Sequence, residues 1–182
     1  MIPFSAFESA LARDPFLARF GSGSDRENWD AQLARVTLTD GQRALCRAFV
    51  RKTPVVVLAG AWCGDCAFHC AVLEKIAQAA PVLQIRYHDR DDRADLQSQL
   101  TINGGNRVPV AVFFSEDGHE VTRFGEKPLS EYRRKVRGLV PAEILPPAGD
   151  RVAEAVSDWL AVVERVQWTL RSSPRLRQLH GD

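Results

Sequence analysis

The amino-acid sequence predicts an α/β fold: a mixed sheet flanked by helices, with additional N- and C-terminal helices. Three observations predict it. Val55 to Ala59 is an unbroken apolar run entered through Pro54, the pattern of a strand buried on both faces. Phe68, Val72, Leu73 and Ile76 follow at helical spacing, which predicts a helix over 66–79. Val108 to Phe114 and Glu120 to Phe124 then flank Glu116-Asp117-Gly118, which predicts a hairpin.

The elements are justified in chain order. Phe4, Phe7 and Leu11 follow helical spacing, and Asp14-Pro15 reads as the N-cap and first residue of the next helix, with Phe16, Leu17 and Phe20 on its apolar face. Gly21-Ser22-Gly23-Ser24 reads as a flexible loop, and Asp25 to Arg35 as a helix burying Trp29 and Leu33. Thr39 and Gln42 form a capping box for a helix carrying Leu45, Ala48 and Phe49. Val82 to His88 predicts a second strand. Asp89 to Asp95 mixes Asp and Arg and reads as a solvated loop leading into a helix start. Leu96 and Leu100 belong to a short helix ended at Asn103-Gly104-Gly105, and Leu129 to Leu139 is the last helix of the core. Pro141, Pro146 and Pro147 make a stiff connector. A long helix from about 149 to 171 then carries Val152, Val156, Trp159, Val163, Val166 and Leu170 as a narrow heptad seam. The seam is expected to pack on its own domain. The alternative is a homodimer through this helix, across a two-fold axis.

Composition narrows the function. The 182 residues suffice for one domain with a full core plus helical additions. Apolar content of 45% and charged content of 26% are ordinary for a globular protein. A net charge of +1 gives no electrostatic case for nucleic acid or an anionic membrane as partner. No apolar stretch approaches the roughly 20 residues needed to span a bilayer. Met1-Ile2-Pro3-Phe4-Ser5 does not read as a signal peptide. Four cysteines are too few and too clustered for a secreted disulfide scaffold, so a reducing cytoplasm is the expected location.

Trp62-Cys63-Gly64-Asp65-Cys66, directly after the first apolar run, carries the chemistry. Two cysteines three positions apart can pair if a strand feeds them into the first turn of a helix. Unpaired N–H groups and a partial positive charge at that helix end stabilise a thiolate. Cys63 is therefore the candidate nucleophile and Cys66, one turn in, the resolving thiol. Asp65 suits a helix N-terminus, but its charge opposes a nearby thiolate. Other readings stand beside this one: an inert buried thiol pair, or a metal site at Cys63, Cys66, His69 and Cys70 that lacks a second ligand cluster. Cys46 and Cys70 read as small apolar core residues. Trp62 either shields the thiol or is a core aromatic.

Val55 to Ala59, Trp62-Cys63-Gly64-Asp65-Cys66, the following helix and Arg107-Val108-Pro109-Val110 together resemble a thioredoxin. With Thr101-Ile102-Asn103-Gly104-Gly105 ahead of the proline, the chain resembles a group of bacterial thioredoxin-like proteins that carry extra helices. The resemblance covers residues 39–140. It implies three parts: an N-terminal helical extension over 1–38, a thioredoxin-like domain over 39–140, and a linker with a C-terminal helix packed on the core over 141–182. It implies a cis Val108-Pro109 bond facing the cysteines across a groove, where Val108 offers its backbone to an extended substrate. Trp62, Gly64, Asp65, Val108 and Pro109 are then the substrate contacts.

The implied activity is reduction of disulfides in protein or small-molecule partners. No bound cofactor is needed, and an unidentified reductase or thiol donor regenerates the dithiol. Two positions depart from the thioredoxin pattern. Val57 stands where a buried Asp usually moves protons for the second cysteine, and Ala71 where a helix proline is usual. Both departures leave room for the alternative of a thioredoxin-fold interaction module with weak or regulatory redox activity.

Overall fold

The computed structural model describes residues 1–182. Four strands, β1 (Thr53–Ala59), β2 (Leu83–Asp89), β3 (Val110–Phe114) and β4 (Glu120–Gly125), form one sheet in the order β2-β1-β3-β4. β1 runs parallel to β2 and antiparallel to β3, and β3 is antiparallel to β4, so the sheet is mixed as expected. Every residue of β1 and β3 is buried, as an apolar run without alternation requires.

Register decides where the loops meet. Leu58 pairs with Val110, Val110 with Gly125, and Ala59 with Asp89. The C-terminal ends of β1, β2 and β4 and the N-terminal end of β3 therefore share one edge of the sheet. The segments after Ala59, Asp89 and Gly125, and the segment before Val110, converge there.

Eight helices precede, separate or follow the strands up to the last turn of the chain: α1 (Ser5–Glu8), α2 (Arg13–Phe20), α3 (Gly23–Arg35), α4 (Asp40–Arg47), α5 (Gly64–Ala79), α6 (Ala94–Gln99), α7 (Leu129–Val136) and α8 (Arg151–Arg171). A ninth, α9 (Pro174–His180), was not foreseen; Pro174 opens it and Leu176 is buried beneath it. Flanked by these helices, the mixed sheet is the expected thioredoxin-like α/β architecture with additional N- and C-terminal helices. None of them is long and apolar enough to cross a membrane.

Several expected boundaries move for identifiable reasons. The helical spacing of Phe4, Phe7 and Leu11 yields only one turn, because Leu11 leaves the helix to exchange backbone hydrogen bonds with Tyr87 at 3.0 and 2.7 Å. Asp14 and Pro15 sit inside the first turn of α2, whose N-cap is Ala12. Ser22 and Ser24 are not in a flexible loop: Ser22 and Asp25 form a capping box, so α3 starts at Gly23. The Thr39/Gln42 box is present, but α4 ends at Arg47, leaving Ala48 as C-cap and Phe49 beyond it. The face of α8 is broader than a heptad seam: Ala155 and Leu160 are buried with Val156, Trp159, Val163, Val166 and Leu170.

Both ends of the chain dock on α5. α3 packs along it on one side, and α8 packs against it, α7 and β4 on the other. Phe16 and Trp29 close with Tyr87 into an aromatic cluster, at centroid separations of 5.4 to 5.8 Å.

Candidate functional site

At the converging edge of the sheet, β1 is followed by Gly60-Ala61-Trp62, which leads directly to Cys63 and α5. Cys63 is the N-cap of α5, with extended backbone at φ −85° and ψ 120°. Its Sγ takes the place of the usual Ser or Asp oxygen and accepts the Cys66 backbone N–H at 3.4 Å. Cys66 lies one turn in and is buried, its Sγ accepting the Gly60 N–H at 3.4 Å. The first cysteine thus caps the helix, and the second stops the preceding strand.

The pKa values of the two thiols are driven apart. A hydrogen bond from the Cys66 thiol lowers the Cys63 pKa to about 6; burial works against it, the Cys66 and Asp65 N–H groups add to it, and the Asp65 charge opposes it. Burial raises the Cys66 thiol well above its ordinary range. Cys70, one turn further and fully buried, is raised for the same reason. All four cysteines are free thiols in this structure.

Of the predicted contacts, Trp62, Gly64 and Asp65 line the cleft at Cys63, and Val108 and Pro109 lie in the segment before β3 at the same end of the sheet. Trp62 is 53% exposed, which rules out the core-aromatic reading. Its ring leans over Gly60, where an added Cβ would come within 2.8 Å of it, so only glycine fits under this face. The space beside Gly64 is open. Asp65 is ion-paired with Lys127 from the segment after β4. The Val108-Pro109 bond is cis, and both residues are buried immediately before β3. Gly125 approaches this bond so closely that a Cβ would meet the Pro109 carbonyl at 2.4 Å.

Sequence reasoning missed three cations here. Arg90 lies 4.8 Å from the Trp62 ring centroid and donates to the Asn106 carbonyl at 3.2 Å, bridging the first cysteine's loop and the proline's loop. It comes from the stretch read as a solvated loop, where Asp89 is in fact buried and accepts the Asp91 and Asp92 N–H groups at 2.8 and 3.3 Å. Lys127 holds Asp65. Arg151 of α8 stacks on Phe68 at 4.4 Å and pairs with Glu131 at 2.8 Å. No local pattern marks these residues, because each reaches the site from a distant element. Gln32, Trp62, Cys63, Asp65, Phe68 and Arg151 line a cleft of about 460 Å³, so α3 and α8 both contribute to its rim.

The metal reading fails on geometry. Cys63, Cys66, His69 and Cys70 do not converge: no group of three or more His, Cys, Asp or Glu side chains is placed to hold an ion. The His69 ring instead accepts the Trp159 indole N–H at Nδ1, 3.3 Å away, and its Nε2 is buried without a partner. Burial lowers its pKa to about 4, so it is a neutral core residue.

Solved structures share the architecture. A Pseudomonas aeruginosa protein of unknown function superposes with a TM-score of 0.73 at 19% identity, covering 91% of this chain and 99% of that one. An HIV epitope-scaffold superposes with a TM-score of 0.68 at 17% identity, covering 88% and 96%. At such identities the likeness is one of fold. A family model described as thioredoxin matches residues 16–135, a span that holds the whole sheet, both cysteines and the cis-proline. On that match, the chain belongs to the thioredoxin family.

Proposed function

We propose that the protein is a thiol–disulfide oxidoreductase that reduces disulfides of protein or small-molecule partners through Cys63 and Cys66. The observation that supports this best is the asymmetry of the pair: a partly exposed Cys63 with a pKa of about 6 beside a buried Cys66 whose proton is held. Near neutral pH Cys63 is mostly thiolate, the form that attacks a disulfide.

The Cys63 thiolate attacks one sulfur of the substrate disulfide, forms a mixed disulfide and releases the other sulfur as a thiolate. That thiolate takes the Cys66 proton. The new Cys66 thiolate attacks Cys63 Sγ, releases the second substrate thiolate and leaves a Cys63–Cys66 disulfide. Two electrons have passed to the substrate, and an external thiol donor returns them. With Val57 in place of a buried carboxylate and Asp65 engaged by Lys127, the substrate's own thiolate is the base at hand. Trp62, Gly64, Asp65, Val108 and Pro109 form the surface on which the substrate lies, and a reducing cytoplasm is the compartment that keeps the cycle supplied.

The test is turnover of a small aromatic disulfide with dithiothreitol as donor. Wild type should accelerate it, Cys63→Ser should not, and Cys66→Ser should accumulate a mixed disulfide visible by mass. Wild-type rates no higher than those of Cys63→Ser would overturn the reading.

A further inference from the structure

A second polar cavity lies between α7 and α8, away from the cysteines. Ser130, Arg133 and Arg134 line it from α7 and Arg137 from its C-cap, and Glu154 and Asp158 face them from α8, around a volume of about 190 Å³. Apart from Pro146 and Pro147 of the connector, its lining residues are polar or charged.

Hydrogen-bond accounting shows what is missing. Ser130 is 6% exposed, and its Oγ has no partner. Arg134 Nε and Arg137 Nε are also buried and unpartnered. All three atoms can donate. Of the carboxylate oxygens on the wall, only Asp158 Oδ1 is left without a partner. Glu154 takes Arg134 at 2.5 Å and the Gly149 N–H at 2.7 Å, and Asp158 takes the Ser130 N–H at 2.8 Å. The other arginine contacts go to backbone carbonyls, Arg134 to Gly149 at 2.7 Å and Arg137 to Pro146. Three guanidinium groups face two carboxylates, so the wall keeps one uncompensated positive charge. Water could satisfy a stray donor but would leave that charge unmet. An acceptor-rich anion meets both needs, and guanidinium forks match tetrahedral oxyanions.

We propose that this pocket binds a small oxyanion of the phosphate class, free or as a phosphomonoester, through Ser130 Oγ and the guanidinium groups of Arg133, Arg134 and Arg137. The site does not depend on the role given to Cys63.

Phosphate titrations of the full chain at constant ionic strength, followed by calorimetry and thermal melting, test it. Inorganic phosphate should bind saturably at one site and raise Tm, whereas chloride should not. Arg133→Gln and Arg137→Gln should each weaken phosphate binding about tenfold or more. Arg133→Lys guards against a folding defect: it keeps the charge, loses the fork and should also weaken binding. Arg165→Gln, on the exposed side of α8, should bind as wild type does. Glycerol phosphate in place of phosphate separates the sources: equal binding points to an ester, and binding of phosphate alone to the free ion. A melting response identical in phosphate and chloride, or phosphate affinity unchanged in both glutamine variants, would overturn the proposal and leave the cavity to water.

Discussion

Where α3 meets the core, the contact is aromatic; where α8 meets it, polar groups run through the contact. On the α3 side, Trp29 is buried among Phe16 and Tyr87, and its indole N–H donates to the Ala61 carbonyl at 2.8 Å, two residues before Cys63. On the α8 side, Trp159 packs edge-on to Phe124 at 4.8 Å but gives its N–H to His69. Gln167 donates to the Arg51 carbonyl and Thr53 Oγ1, both at 2.8 Å, and ion pairs join Arg151 to Glu131 and Arg134 to Glu154. The first flank is aromatic, with one titrating group behind it: Tyr87 donates to a buried Glu74 whose pKa burial raises. The second depends on charge states. Both reach the rim of the Cys63 cleft, so the site is held by one largely aromatic wall and one laced with polar groups.

The largest expected effect breaks the second flank outright. Removing residues 148–182 uncovers α5, α7 and β4 where Val156, Trp159, Val163 and Val166 were buried. The shortened chain should unfold or aggregate by size-exclusion chromatography and melting. A shortened chain that stays monomeric with an unchanged Tm would mean that α8 is not part of the core. If the full chain is a dimer and the shortened one a stable monomer, the helix is instead an assembly element.

Trp29→Ala tests the first flank. It removes a fully buried indole and should cost about 4 kcal/mol in chemical denaturation. The loss should be the same at pH 7 and pH 8, because the groups packed on the indole, Phe16, Tyr87 and the Ala61 carbonyl, keep their charge over that range. A pH-dependent loss would erase the contrast between the flanks.

His69 gives the contrast a sign. Its folded pKa of about 4 lies below the ordinary 6.5, so the native state resists protonation. The stability this reflects is complete above pH 6.5 and is lost as pH falls toward 4, by roughly 3 kcal/mol across that window. His69→Gln, which keeps an acceptor for the Trp159 indole, should flatten the profile. An equally steep profile in the variant would move the acid sensitivity to the ion pairs.

The smallest effects concern Cys63 itself. Its rate of alkylation should rise with pH about a midpoint near 6 rather than near 8.5. Lys127→Met frees the Asp65 charge and should shift that midpoint upward by less than about 1 pH unit. A downward shift would show that Lys127 does not act through Asp65.

The elements legible in the sequence were those whose chemistry is local. The apolar run of β1, the capping box at Thr39, the hairpin at Gly118 and the paired cysteines at a helix start each need only a few neighbouring residues. The cis-proline came from resemblance. What stayed hidden depends on partners far away in the chain. Leu11 leaves its helix for Tyr87, which is 76 positions later. Arg90, Lys127 and Arg151 look like ordinary surface charges until register brings their segments to Cys63. His69 sits beside three cysteines in sequence, which suggests a ligand, and only the position of Trp159 on α8 turns it into a core residue.

The bridge made by Arg90 has an optical consequence. Of the four tryptophans, Trp29 and Trp159 are sealed in the core, and Trp168 sits on α8 bonded to Glu164 at 2.9 Å. Trp62 is the one beside the reactive sulfur, with a cation on its ring that also holds the loop leading to Pro109. Its emission is expected to respond to two events, a change of charge on Cys63 and a movement of that loop. The chain carries a native fluorophore beside Cys63, and its share of the emission is isolated by comparing the chain with a Trp62→Phe variant.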